Sequence, residues 1–248
     1  MPKNQQLHSN IYTAHAGIPA YSCTNPHCYA QQDWYGPSGG YLTGSSTEVT
    51  VGHISCSSCN GVASVETWLV DDTSSQAFQC TYFICWIETG YAEKNIQTGC
   101  GPAGTECYFW GDNRPNGGLN YWPYALPSDN YGQLTQLFIE NVDSSDWYIS
   151  VAPQASSDGG FVGYSTSNTI YPQNIRVGSE LGGTSGVSIP TQSFIQNEWS
   201  VNYNYYYQTN AGCESNQTDC RSDMPPTGYW NPAPSCCNAG GNYKVSIP

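Results

Sequence analysis

Twelve cysteines place the first constraint on this chain, and their spacing matters more than their number. They fall in close pairs: Cys23/Cys28, Cys56/Cys59, Cys80/Cys85, Cys100/Cys107, Cys213/Cys220 and the adjacent Cys236/Cys237. An even set of thiols, closely spaced along a chain rich in Tyr, Gly and Ser, reads as a disulfide framework, each bridge worth about 2–4 kcal/mol. Such a framework persists in an oxidising compartment, so a secreted protein acting outside the cell is expected. Adjacent cysteines rarely bond to each other, so Cys236 and Cys237 are expected to reach back to Cys213 and Cys220. Zinc stays open as the rival reading. Cys23, Cys28, Cys56 and Cys59 could supply four thiolates, with His27 and His53 close by. The sequon Asn216-Gln217-Thr218 is compatible with export. No apolar stretch follows Met1-Pro2-Lys3-Asn4, so no leader is read there.

Between the cysteines the recurring signal is the strand. Residues 62–70 and 81–91 read as strands, and 133–142 with 146–152 as a hairpin around Asp143-Ser144-Ser145. In the second arm Trp147, Ile149 and Val151 alternate with polar residues, the mark of a half-buried strand. Residues 174–177 and 192–207 continue the pattern, and the aromatic run 203–207 reads as a strand with rings on both faces. Helical periodicity is nearly absent. The expectation is therefore an all-β protein: an antiparallel two-sheet β-sandwich, jelly-roll or concanavalin-like, forming one domain over 1–248. Its core spans about 60–208, with disulfide-stapled coil at both ends. No run of 18 apolar residues occurs, so no membrane span is expected.

Charge narrows the partners. Nineteen acidic residues stand against six basic ones, a net charge of −13. Six scattered cations cannot neutralise a phosphate backbone, so nucleic acid is excluded as a partner. Anionic membranes are disfavoured for the same reason. An acidic chain with few lysines gains little positive self-repulsion as pH falls, which suits acidic surroundings.

Several chemistries are missing. His8, His15, His27 and His53 all lie in the first quarter, leaving no well-placed base for a serine triad. There is no Gly-x-Ser-x-Gly elbow, no His-Glu-x-x-His element and no phosphate-cradling loop. The Glu-x-Asp-x-x-Glu arrangement of many sandwich glycosidases is also absent. Carboxylates remain. Glu88 sits in Ile84-Cys85-Trp86-Ile87-Glu88-Thr89-Gly90-Tyr91, apolar on both sides, where a carboxylate is costly to bury unless it is used or paired. Glu180 follows Ile175-Arg176-Val177-Gly178-Ser179 and precedes Leu181-Gly182-Gly183, where glycines permit close approach. On pattern alone, the plainer readings stay open and weigh more: Glu88 pointing outward, and Glu180 capping a turn or pairing with Arg176.

The segment Trp86-Ile87-Glu88-Thr89-Gly90-Tyr91, followed by Tyr108-Phe109-Trp110-Gly111-Asp112, resembles the neprosin family of glutamic peptidases. Gly178-Ser179-Glu180 with Leu181-Gly182-Gly183 matches that family's later Gly-Gly-Glu element, with Ser in place of one Gly. The likeness covers about residues 60–200. It implies an antiparallel sandwich, no cofactor and no metal. It implies Glu88 and Glu180 as a catalytic dyad, and Tyr91, Trp110 and Asp112 as candidates for lining the substrate cleft. The implied activity is acid hydrolysis of a polypeptide, including proline-containing substrates. One carboxylate would act as base on water and the other, protonated, would polarise the scissile carbonyl. Two other functions fit a sandwich of this composition: a glycan-binding or glycan-hydrolysing module, and a structural sheath or fibre subunit.

Overall fold

The computed structural model describes residues 21–23, 28–36, 40–93, 100–101, 105–143, 146–154, 160–165, 170–207, 218–222 and 243–247. Chain order gives β1 (Tyr21–Cys23), β2 (Cys28–Tyr35), β3 (Gly44–Thr50), β4 (Ser55–Asp71), β5 (Cys85–Glu93), β6 (Glu106–Arg114) and β7 (Gly118–Ala125). Then follow β8 (Leu134–Asn141), β9 (Trp147–Pro153), β10 (Phe161–Ser165), β11 (Asn174–Val201), β12 (Asn204–Tyr207), β13 (Thr218–Ser222) and β14 (Tyr243–Ile247). All pairings are antiparallel. Among the described residues, helix is confined to three-residue 3₁₀ turns, and no helix is long and apolar enough to cross a membrane.

Two sheets share one strand. The first half of β11 pairs with β4, and onward lie β5, β6 and β7. Its second half pairs with β3, and onward lie β8, β9 and β10. The passage from one sheet to the other falls between Ser188 and Phe194, a stretch that contains Pro190 and where the β14 register shifts between Ile189 and Gln192. Proline cannot donate to a ladder, so a break in pairing is where a long strand tolerates it. The stretches 174–177 and 192–207 are thus parts of one 28-residue strand plus a return. That return is a tight turn at Asn202 and Tyr203, both at positive φ (51° and 63°).

The inner faces meet in one apolar core. Val65, Leu69, Ile87, Tyr91, Trp110, Ile175 and Val177 come from the first sheet, and Val49, Leu137, Ile139, Ile149, Val151 and Phe194 from the second. The expected alternation holds in β9, where Trp147, Ile149 and Val151 are buried. Two readings are corrected. Residues 81–83 form a 3₁₀ turn and the strand starts at Cys85, because the Cys80–Cys85 disulfide closes a loop too short to be extended. The N-terminal 60 and C-terminal 40 residues, read as coil, also contribute β1, β2, β3, β13 and β14. Cys100 and Cys107 form a second bridge. The side chains of Cys23, Cys28, Cys56, Cys59, Cys213, Cys220, Cys236 and Cys237, together with His27, lie outside the described residues.

Candidate active site

Register decides which side chains meet on β11, β4 and β5. Glu180 pairs with Ser64, Gly178 with Glu66, Glu66 with Gly90, and Trp68 with Glu88. Side chains alternate along a strand, so Glu180, Glu66 and Glu88 project from one face, on adjacent strands. It is the face turned away from the core, since the alternate residues Val65, Ile87 and Val177 point inward. One carboxylate oxygen from each of Glu66, Glu88 and Glu180 lies within 4.8 Å of the other two. Glu66 and Glu88 are almost completely buried, at 1% and 2% exposure; residue Glu180 is half-buried, and the carboxylate it brings to the cluster is buried with the others.

Two glycines make room for this. A Cβ on Gly90 would stand 2.1 Å from the Val65 carbonyl oxygen and 2.6 Å from Glu66 Cβ. A Cβ on Gly111, which pairs with Glu88, would stand 2.7 Å from the Tyr121 ring and 2.9 Å from Glu88 Oε1. Any larger residue at either position would displace a glutamate or its cover.

Burial controls the charge. It is the main reason the Glu88 carboxyl is raised to about 7, and the Glu180 charge raises it further. The polar groups of Trp86, Tyr121 and Glu66 close to it oppose the rise. Glu66 is pushed well above the usual carboxylate range, first by burial, then by the charges of Glu88 and Glu180. The Ser64 hydroxyl donates to Glu66 Oε1 at 2.5 Å. Burial and the three carboxylates drive Tyr121 upward, so its hydroxyl remains a donor. Glu88 Oε1 is buried and lacks a hydrogen-bond partner among the described residues. The three carboxylates also have the spacing to hold a cation. Donors already aimed at Glu66 and Glu88, and the raised proton affinities, suit the cluster to protons instead.

The sequence candidates separate by strand parity. Glu88 and Glu180 are brought together. Tyr91, Trp110 and Asp112 leave the sheet on its other face, inside the sandwich. Tyr91 accepts a hydrogen bond from the Gly52 N–H at 3.3 Å. Trp110 stacks on Trp122 with ring centroids 3.8 Å apart. Asp112 accepts from Asn120 at 3.2 Å and from Ser165, and faces Arg114 at 3.4 Å. Glu66 and Tyr121 were missed. Glu66 had a usable signal, lying in the apolar strand segment Val65-Glu66-Thr67-Trp68-Leu69 just as Glu88 does in its own. Tyr121 had none, being one of twenty tyrosines. His53, which the zinc reading noted as lying close to the cysteines, stacks on Tyr131 and pairs with Glu106 at 3.0 Å.

No protein-family model matches the chain, and no curated protein matches its sequence. Solved structures do. Scytalido-glutamic peptidase with a peptide-based transition-state analogue superposes with a TM-score of 0.58 at 9% identity, covering 91% of this chain and all (100%) of that one. The same peptidase with another transition-state analogue inhibitor gives 0.60 at 10% identity, with the same 91% and 100% coverage. SCP-B, a member of the Eqolisin family of peptidases in complex with the tripeptide Ala-Ile-His, gives 0.57 at 10% identity over 91% of this chain and 100% of its own. At these identities the likeness is one of fold: the chain has the β-sandwich architecture of glutamic peptidases.

Proposed function

We propose that this chain is a secreted, acid-active glutamic endopeptidase of the neprosin kind, hydrolysing polypeptides, proline-containing ones among them, with Glu88 and Glu180. The observation that carries this reading is the convergence of the two carboxylates on one sheet face, within 4.8 Å, from distant parts of the sequence. The fold shared with glutamic peptidases supports it. Secretion is supported by the Cys80–Cys85 and Cys100–Cys107 disulfides.

The roles follow from burial. Glu88, raised to about 7, carries the proton in acid. Its Oε1, without a hydrogen-bond partner among the described residues, is the atom with capacity to donate to the scissile carbonyl oxygen. Glu180, the other member of the pair, holds the water and takes its proton as the oxygen attacks the carbonyl carbon. The C–O bond forms and Glu88 hands its proton to the developing oxyanion. On collapse the C–N bond breaks, Glu180 gives the water's proton to the leaving amine, and Glu88 recovers its own. The pair titrates as a unit, and the working form holds one proton.

Digestion of a denatured proline-rich protein from pH 2 to 7 tests this, with wild type, Glu88→Gln and Glu180→Gln side by side. Wild type should cleave best in acid. Each variant should lose about 100-fold or more while keeping its circular dichroism. No cleavage by wild type at any pH, or full activity in either variant, overturns the proposal.

A further inference from the structure

A two-carboxylate mechanism leaves Glu66 unused. Yet it is the most buried of the three, at 1% exposure, and it occupies β4, the strand between those of Glu180 and Glu88. The groups facing it are Ser64 from its own strand, Glu88 from β5 and Glu180 from β11, with Tyr121 of β7 reaching the cluster through Glu88. Arg176, on the same face four residues before Glu180, holds Asp72 at 3.0 Å. A third buried anion beside two others would be strongly repelled, and protonation relieves this. The Ser64 hydroxyl donates to Oε1 at 2.5 Å, which leaves the other oxygen of Glu66 to carry the hydrogen. A carboxylate oxygen of Glu66 and one of Glu88 lie within 4.8 Å of each other, and each group shifts the other's proton affinity.

We infer that Glu66 is a protonated positioning residue that donates its carboxyl hydrogen to Glu88 and thereby directs Glu88 Oε1, with its own proton, at the substrate. A neutral carboxylic acid has one acceptor-like oxygen and one hydroxyl. A donor on Oε2 of Glu88 forces its hydrogen onto Oε1, the oxygen without a partner among the described residues. Ser64 in turn fixes which oxygen of Glu66 can donate. The site is then a cluster of three carboxyls holding two protons in its working state, not an isolated dyad. This inference rests on the function proposed above, and its test separates the two.

Glu66→Gln keeps a donor of similar shape, and Glu66→Leu removes it. Activity against the denatured substrate and carbon-13 carboxyl NMR titration of the full chain are both recorded. Glu66→Gln should keep kcat within about threefold of wild type, with the Glu88 midpoint within about half a pH unit. Glu66→Leu should lower kcat about tenfold or more with KM little changed, as expected for one charge-assisted hydrogen bond, and should raise the Glu88 midpoint. If Glu66→Leu does not fold, Ser64→Ala is the second probe. It should raise the Glu66 midpoint and reduce kcat by a smaller factor. The inference is overturned if Glu66→Gln is as damaged as Glu66→Leu, or if Glu66→Leu or Ser64→Ala leaves the carboxyl titrations unmoved. It is also overturned if Mn²⁺ or Ca²⁺ binds stoichiometrically at pH 7 and Glu66→Gln abolishes that binding. If wild type cleaves nothing, the proposed function fails, while the titrations still decide whether Glu66 donates to Glu88.

Discussion

Glu88 and Asp112 sit one residue out of step across the β5–β6 ladder, and that offset sends them to opposite faces of the same sheet. Both are buried acids whose carboxyls burial raises. Their partners differ. Asp112 is surrounded by Ser165, Asn120 and Arg114, so its hydrogen-bonding capacity is spent on joining β6 to β7 and β10. Asp112→Ala should therefore destabilise the fold by about 1–3 kcal/mol, since it strands buried donors. Urea unfolding would measure this, and the Glu88 carboxyl midpoint should not move. Tyr121 belongs to the other face. Tyr121→Phe removes the hydroxyl that acts on the Glu88 carboxyl and should cost about tenfold in kcat, the worth of one hydrogen bond to a charged or nearly charged group. Steady-state kinetics at fixed acid pH would check it. An unchanged kcat would remove Tyr121 from the site.

At the scale of elements, β5 is organised by what lies on either side of Glu88. Before it, the Cys80–Cys85 bridge closes a turn in which Tyr82 and Phe83 both take positive φ, 63° and 60°. Bulky residues resist that conformation, so the turn needs its restraints. The Asn113 side chain supplies others, donating to the Thr81 and Ile84 carbonyls, each at 2.7 Å. Replacing Cys80 and Cys85 by serine should cost about 2 kcal/mol, the loop-closure value for so short a ring, read as a lower denaturant midpoint. After Glu88, Gly90 lets β4 and β5 approach while Glu66 occupies the space above it. Gly90→Ala would drive a methyl into the Val65 carbonyl. It should cost more than the roughly 1–3 kcal/mol of ordinary overpacking, and activity should fall with it. A stable and active Gly90→Ala protein would mean that the two strands are less closely apposed than described.

Across the whole molecule, Glu48, Glu66, Glu88, Asp112 and Glu198 are all raised, in each case chiefly by burial. A carboxyl with a folded pKa above its unfolded one binds its proton more tightly when folded. The stability it contributes is complete below the unfolded pKa, about 4.3 for Glu, and is lost as pH rises through the folded value. For Glu88 that window runs from the unfolded value up to about 7, a change on the order of 4 kcal/mol. The Tm should therefore be highest in acid and fall steadily toward neutral pH. Glu66→Gln and Glu88→Gln should each flatten the curve, since Gln cannot ionise. Differential scanning calorimetry from pH 3 to 8 would show it, and a Tm that rises toward neutrality would contradict the burial of these groups. The same trend would favour a protein working in acid, in keeping with its net charge of −13.

Period-2 alternation in 146–152 and the lack of any helical stripe were enough to specify an antiparallel sandwich, because side-chain alternation is a local property of extended backbone. The cost of burying charge marked Glu88 for the same local reason, and the glycines around Glu180 marked that residue. Tertiary structure decided the rest. Which face a strand residue occupies depends on the register with its neighbours, and a shift of one position exchanges the faces. That is why Tyr91, Trp110 and Asp112, close to Glu88 in sequence or motif, lie in the core, whereas Glu66 and Tyr121 stand beside it. Residues 174–177 and 192–207 looked like separate strands because nothing local reveals that one chain segment serves two sheets. Glu180 meets Glu88 only because β4 lies between β11 and β5, and strand order is set by long-range packing that no short stretch of sequence encodes.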